Sequence, residues 1–227
     1  MSWLTSAKSR SDALLAAGTE LFGQQKYREA IAEFTEVIRR DGLNSCAFAS
    51  RGAAHLQLGN YETAINDYTY ASTLDPQNHF YFSARGCAYA RTSQHQRAIS
   101  DFTIAIKLNP DNWLAYASRS QSYDLIGQLD LAIADNCEAI AIAPDAVGPY
   151  CARARQYAKR KDYTSAINDL HRAHTLDSSS ALVNETFADV MLEKMREEQS
   201  RSIAADDPAN PTKVPGRPSS VSIQRVA

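Results

Sequence analysis

Small and apolar residues recur along the chain at helical spacing, interrupted by short polar turns. Residues 51–68 read RGAAHLQLGNYETAINDY, which is one helix, a Gly59–Asn60 turn and a second helix. That second helix continues through Ala71 and Leu74 and stops at Pro76, because proline lacks an N–H and its ring clashes with the preceding turn. The same order returns 34 residues later as Arg85, Gly86, Tyr89, Ala98, Ile99, Asp101, Phe102, Ala105, Ile106, Leu108 and Pro110. One such hairpin cannot bury its apolar face alone, whereas stacked copies bury it against each other. The period therefore predicts an all-α helical-hairpin solenoid.

Three columns carry the period across five repeats. Gly18, Gly52, Gly86, Ser120 and Ala154 are small, as a close crossing of two helices demands. Ala30, Ala64, Ala98, Ala132 and Ala166 each fall near the start of a second helix, followed by Ile31, Ile65, Ile99, Ile133 and Ile167. Tyr27, Tyr61 and Tyr163 stand three residues before three of these alanines, with His95 and Leu129 in the other two places. Pro76, Pro110 and Pro144 end three second helices, and Gly42 and Ser178 stand there in the outer repeats. The repeats are read as 11–44, 45–78, 79–112, 113–146 and 147–180.

The flanks differ. Residues 1–10 read as a frayed lead-in, with Trp3 placed to cover the first helix pair. Residues 181–200 put Val183, Phe187, Val190, Met191 and Met195 on one stripe opposite a charged face, the pattern of a helix that caps the last hairpin. Residues 201–227 hold Pro208, Pro211, Pro215 and Pro218, half of the eight prolines of the chain, and read as a disordered tail. Two P-x-x-P matches lie there, at 208–211 and 215–218; flexible tails produce such matches often.

The 34-residue pattern of small, aromatic, alanine and proline landmarks resembles the tetratricopeptide repeat family over about 11–180. The resemblance implies a right-handed superhelix whose first helices line a concave surface. It further implies a protein-binding scaffold or adaptor, with no chemistry of its own. Carried over position by position, the lining of that groove is Leu15, Thr19 and Phe22, then Cys46, Ala49, Ala53, Leu56 and Gln57. It continues with Phe80, Ser83, Cys87, Ala90 and Arg91, then Leu114, Ala117, Gln121 and Asp124, and ends with Cys151, Arg155 and Lys159. Chaperone-binding members hold a terminal carboxylate with a clamp of Lys, Arg and Asn. The matching places here are Leu15, Thr19, Ser50, Phe80 and Ala84, so the clamp is missing.

Two further columns go beyond the generic repeat. Arg51, Arg85, Arg119 and Arg153 are each followed 16 residues later by Asp67, Asp101, Asp135 and Asp169, while the first repeat has Ala17 and Glu33 at these places. Present together and absent together, they read as ion pairs inside each hairpin. The competing reading, a ladder of cations for an acidic ligand, requires the ligand to displace an aspartate already in reach. Asn44, Asn78 and Asn112 support two readings: helix N-caps, or amides that bind a peptide backbone.

Composition narrows the field. With 24 Lys and Arg against 26 Asp and Glu, the net charge of −2 offers no general basic face for nucleic acid. Cys46, Cys87, Cys137 and Cys151 are 41, 50 and 14 residues apart, without a C-x-x-C pair, which suits small buried thiols in a reducing compartment. No apolar run nears membrane-spanning length and no secretory leader is legible, so a cytoplasmic location without membrane contact is expected. His171 and His174 share one helix face without a third metal ligand marked, and no nucleophile motif or phosphate loop is present. No enzyme activity, cofactor or metal is therefore expected. The expected partner is a protein or extended peptide. The alternatives are a substrate-recruiting subunit of an enzyme complex and weak self-association through the end faces.

Overall fold

A computed structural model of the chain describes residues 2–206, with side chains placed from 10 to 203. Five helical hairpins follow one another: α1 (Ser2–Gly23) with α2 (Tyr27–Arg40), α3 (Ser45–Gln57) with α4 (Tyr61–Leu74), and α5 (His79–Arg91) with α6 (His95–Leu108). Then come α7 (Trp113–Leu125) with α8 (Leu129–Ile142), α9 (Val147–Lys159) with α10 (Tyr163–Leu176), and the single helix α11 (Ala181–Asp206). Tyr27, Tyr61, His95, Leu129 and Tyr163 each open the second helix of a hairpin.

The hairpins close on the small columns. Ala30, Ala64, Ala98, Ala132 and Ala166 are all 0% exposed, since a larger side chain there would push the two helices apart. Opposite the first small column stand Phe34, Tyr68, Phe102, Asn136 and Leu170. Size compensates across each crossing: Gly18 meets the Phe34 ring, Gly52 the Tyr68 ring and Gly86 the Phe102 ring. Ala154 instead faces the smaller Leu170, which is fully buried.

The fourth hairpin departs from this apolar scheme. Asn136 Nδ2 donates to Ser120 Oγ at 2.7 Å and to Gln156 Oε1 at 2.9 Å, and Gln156 Nε2 donates to Ser120 Oγ at 3.0 Å. Ser120 passes its own proton to the Ala132 carbonyl at 2.8 Å. The trio is buried and ties the fourth hairpin to the fifth, and it leaves Asn136 Oδ1 without a partner.

Turns repeat as strictly as helices. Gln25, Gly59, Ser93, Gly127 and Lys161, one per hairpin, all hold a positive φ of 59–79°. Between hairpins, Asp41, Asp75, Asn109 and Asp177 each accept the backbone N–H two residues on, a local turn that short polar side chains favour. Ala143 has no side chain to do so, and the link from the fourth hairpin to the fifth is held instead by Tyr150 Oη on the Pro144 carbonyl at 3.1 Å.

Three expectations at the ends need correction. The supposed lead-in is helical backbone from Ser2 onward, because nothing in 2–10 breaks a helix; Trp3's side chain lies outside the described residues. In α11, Val183, Thr186 and Val190 are buried against α9 and α10, but Met195 is 60% exposed, since the helix outruns the hairpin it covers. The helix also runs through 201–206, which composition alone assigns to the tail. No proline precedes Pro208 there, and Arg201 pairs with Glu197 one turn back at 3.2 Å. The proline-rich stretch 207–227 lies outside the described residues.

Candidate interaction groove

The curvature follows from which helices meet. α1 touches α3, α3 touches α5, α5 touches α7 and α7 touches α9. Among the described residues, α2, α4, α6, α8 and α10 make no comparable contacts with one another. The stack therefore bends toward the first helices, and these line its concave face.

The arginine and aspartate columns lie inside this framework. Each arginine grips the aspartate of its own hairpin with two parallel hydrogen bonds: Arg51–Asp67 at 3.0 and 2.7 Å, and Arg85–Asp101 at 2.8 Å for both. Arg119–Asp135 and Arg153–Asp169 repeat the grip at 2.8 and 2.7 Å. The remaining Nη1 reaches back to the preceding hairpin, onto Thr35, Thr69, Thr103 and the Cys137 sulfur. Rings of Phe48, Phe82, Tyr116 and Tyr150 lie 5.6–6.0 Å from the guanidinium carbons. Each arginine is thus a peg through two hairpins. The first repeat has Ala17 and Glu33 at these places and no such peg. The Asp101 and Asp169 hydrogen bonds raise the pKa of Arg85 and Arg153 against the opposing pull of burial. With Nε, Nη1 and Nη2 all engaged, these side chains build the wall and do not greet a ligand.

Two hollows open on the concave face. The first, about 440 Å³, brings together Leu56, Cys87, Ala90, Arg91 and Gln121 with Ser118, Ser122, Leu125 and Phe102. The second, about 520 Å³, joins Leu114, Ala117, Gln121, Asp124 and Arg155 with Leu125, Gly148, Ala152, Gln156 and Leu182. They share Ser118, Gln121 and Leu125, so they form one trough across α5, α7 and α9. Burial pushes the Cys87 thiol above its ordinary pKa, which keeps it neutral and apolar at the trough floor.

Other groove positions have different neighbours. Leu15, Thr19 and Phe22 lie on α1, where Phe22 packs edge-on against Tyr27 at 5.3 Å. Ala49, Ala53 and Ser83 stand outside both hollows, half-buried on α3 and α5. Phe80 is 66% exposed, its ring tilted by 33° against that of His79 with centroids 4.0 Å apart. Lys159 is spent on Asp124 at 2.6 Å. Cys151, read as lining, is fully buried; α11 covers it with Val183, Thr186 and Val190.

The asparagine column is resolved by its hydrogen bonds. Asn44, Asn78 and Asn112 accept the backbone N–H of Ala47, Phe80 and Ala115 at 2.9, 3.1 and 3.3 Å, which makes them N-caps. His171 meets Phe187 edge-on at 5.6 Å. Among the described residues, no three His, Cys, Asp or Glu side chains converge to hold a metal, and no helix is long and apolar enough to cross a membrane.

Sequence reasoning missed Gly148, Ala152, Leu125 and Leu182. The signal was there: Phe80, Leu114, Gly148 and Leu182 are 34 apart. Gly148 and Leu182 escape it because one has no side chain and the other sits in a helix counted as cap.

No curated protein matches the chain. Solved structures share its fold. MamA (residues 41 to the end) from Desulfovibrio magneticus RS-1 has a TM-score of 0.70 at 17% identity, over 75% of this chain and 97% of that one. YrrB, titled a TPR protein with an unusual peptide-binding site, has a TM-score of 0.65 at 16% identity, over 77% and 90%. TTC0263, a thermophilic TPR protein in Thermus thermophilus, reaches 0.64 at 19% identity, over 80% and 99%. The sequence pattern of the Tetratricopeptide repeat family matches residues 15–79 and 83–147, more than half of the chain. Each match spans most of two successive hairpins, beginning within α1 and within α5, and the chain belongs to the tetratricopeptide repeat family.

Proposed function

We propose that this chain is a protein-interaction scaffold that holds an extended peptide segment of a partner along the trough across α5, α7 and α9. The fold supports the general role, since tetratricopeptide repeat proteins bind proteins or peptides. YrrB, a structural relative, is described as having a peptide-binding site. The observation that carries the finer reading is the continuous trough of two hollows sharing Ser118, Gln121 and Leu125. Its floor is small and apolar, and its rim offers the Gln121 amide and two arginines, Arg91 and Arg155.

Such a surface binds by burying side chains of the ligand against a preformed wall, with little reorganisation to oppose it. Arg91 and Arg155 form no ion pair among the described residues, so the trough favours an acidic residue in the ligand, more weakly at high salt. The test is selection from a displayed random dodecapeptide library on the full chain, repeated on the Ala53→Trp/Ala90→Trp variant. Peptides that enrich on the natural chain and not on the variant support the reading. Equal enrichment on both sends the binding elsewhere.

A further inference from the structure

The first residues of the concave row follow the period as Phe80, Leu114, Gly148 and Leu182. Three of the four present an exposed apolar side chain, at 66, 58 and 40% exposure. The remaining one, Gly148, presents none. The gap it leaves between Leu114 and Leu182 is the second hollow of the trough, about 520 Å³.

Packing against the neighbouring helices does not ask for glycine here, although Pro149 follows it and a residue without a Cβ suits the helical position before a proline. Gly148 sits in the first turn of α9 with no left-handed φ, and a Cβ built on it would meet nothing within 4 Å. This contrasts with Gly86, whose missing Cβ would strike Phe102 at 2.9 Å. The position is therefore open to solvent and to the hollow, and no neighbouring element fills it. What it gains is space, walled by Leu114, Leu182 and Ala152.

Charge beside the gap is uneven. Lys159 is neutralised by Asp124 at 2.6 Å. Arg155, on the rim of the same hollow, forms no ion pair among the described residues, although Asp189 and Glu193 of α11 line an adjoining hollow with it. Apolar walls with one unpaired guanidinium at their edge complement a particular dipeptide chemistry.

We infer that the Gly148 hollow is a socket for one bulky apolar side chain of the bound peptide, and that Arg155 takes the carboxylate of an Asp or Glu next to it. This rests on the groove reading above and adds to it which residues the ligand must carry. A large apolar side chain fills the space between Leu114 and Leu182, while the neighbouring carboxylate reaches the rim without being buried.

The experiment uses the full chain, its Gly148→Leu and Arg155→Gln variants, and a displayed dodecapeptide library whose C-terminus is fixed, so that only side-chain carboxylates vary. Peptides enriched on the natural chain carry Leu, Ile, Met, Phe or Trp within two residues of Asp or Glu. Gly148→Leu binds them about tenfold more weakly or worse, as loss of a buried apolar side chain implies, while its helicity by circular dichroism is unchanged. Arg155→Gln weakens them about threefold and erases the acidic preference. Peptides that fail on Ala53→Trp/Ala90→Trp yet keep full affinity for Gly148→Leu leave the groove standing and overturn the socket. Peptides indifferent to both sets of variants, or no enrichment over an unrelated helical protein, overturn socket and groove together. Light scattering covers the remaining occupants. A natural dimer that Gly148→Leu turns monomeric makes a second copy the occupant, and truncation after Asp206 that raises peptide affinity makes it the chain's own tail; either result overturns the proposal.

Discussion

A Cβ on Gly86 would lie 2.9 Å from Cε1 of Phe102, so the closeness of the third hairpin depends on a hydrogen standing where alanine has a methyl group. The same crossing carries Ala154 against Leu170 in the fifth hairpin, so one extra methyl is matched by a smaller partner. Gly86→Ala is expected to cost about 1–3 kcal/mol despite alanine's better helix propensity, because the buried Phe102 ring must shift to admit the methyl group. Combined with Phe102→Leu, the loss should be clearly less than the sum of the two single losses. Urea denaturation of the four proteins measures this; strict additivity would show that the two positions do not share one space.

The arginine pegs make a second prediction. Asp101→Ala leaves Arg85, whose side chain is 15% exposed, without its carboxylate, and should destabilise the chain by about 3 kcal/mol. Replacing both, as Arg85→Met with Asp101→Leu, should restore most of that loss, since no charge is then stranded. A double variant as unstable as the single one would mean that the pair itself, and not the stranded charge, holds the hairpin.

At the turns, Ser93 adopts a φ of 59° that only glycine takes without strain, and Gly59 and Gly127 occupy the equivalent places. Ser93→Gly should stabilise the chain by about 1 kcal/mol or less, the relief of left-handed strain being partly offset by the freer unfolded chain. Ser93→Val should destabilise it. Thermal melts of both read the outcome directly.

His55 supplies the pH dependence. Burial holds its pKa below the ordinary 6.5, with the Arg51 charge adding to the effect and Asp67 opposing it. The unfolded chain therefore takes up this proton at higher pH than the folded one. Stability from neutral His55 is complete above 6.5 and is lost as pH falls through that value toward the folded pKa. The equivalent places hold Tyr89, Tyr123 and Tyr157, so His55→Tyr should fit and should flatten the melting temperature between pH 7 and 5 relative to the natural chain. An unchanged slope would remove His55 from the acid response.

Most of the fold was legible because its determinants repeat. Ala30 to Ala166 and Arg51 to Asp169 announce close crossings and pegs by returning five and four times at one spacing. What escaped is what a periodic reading cannot weigh. The left-handed turn is invisible at Gln25, Ser93 and Lys161, where side chains hide a backbone demand that Gly59 and Gly127 reveal. The polar trio Ser120–Asn136–Gln156 spans 36 residues and has no counterpart in other hairpins, so no column points to it. Cys151 follows the groove column and is nonetheless buried, because only the docking of α11 decides its surroundings. The concave face was legible and the hollow in it was not, since the hollow opens at Gly148, where there is no side chain to read.

The central claim is that the trough across α5, α7 and α9 is where this scaffold holds its ligand. The most direct test is calorimetric titration of one library-selected peptide into the natural chain and into Ala53→Trp/Ala90→Trp, with circular dichroism on both. The account predicts unchanged helicity and a Kd raised about tenfold or more, roughly 1.4 kcal/mol, by indoles standing in the trough and beside it. Equal Kd values in two equally helical proteins would contradict it.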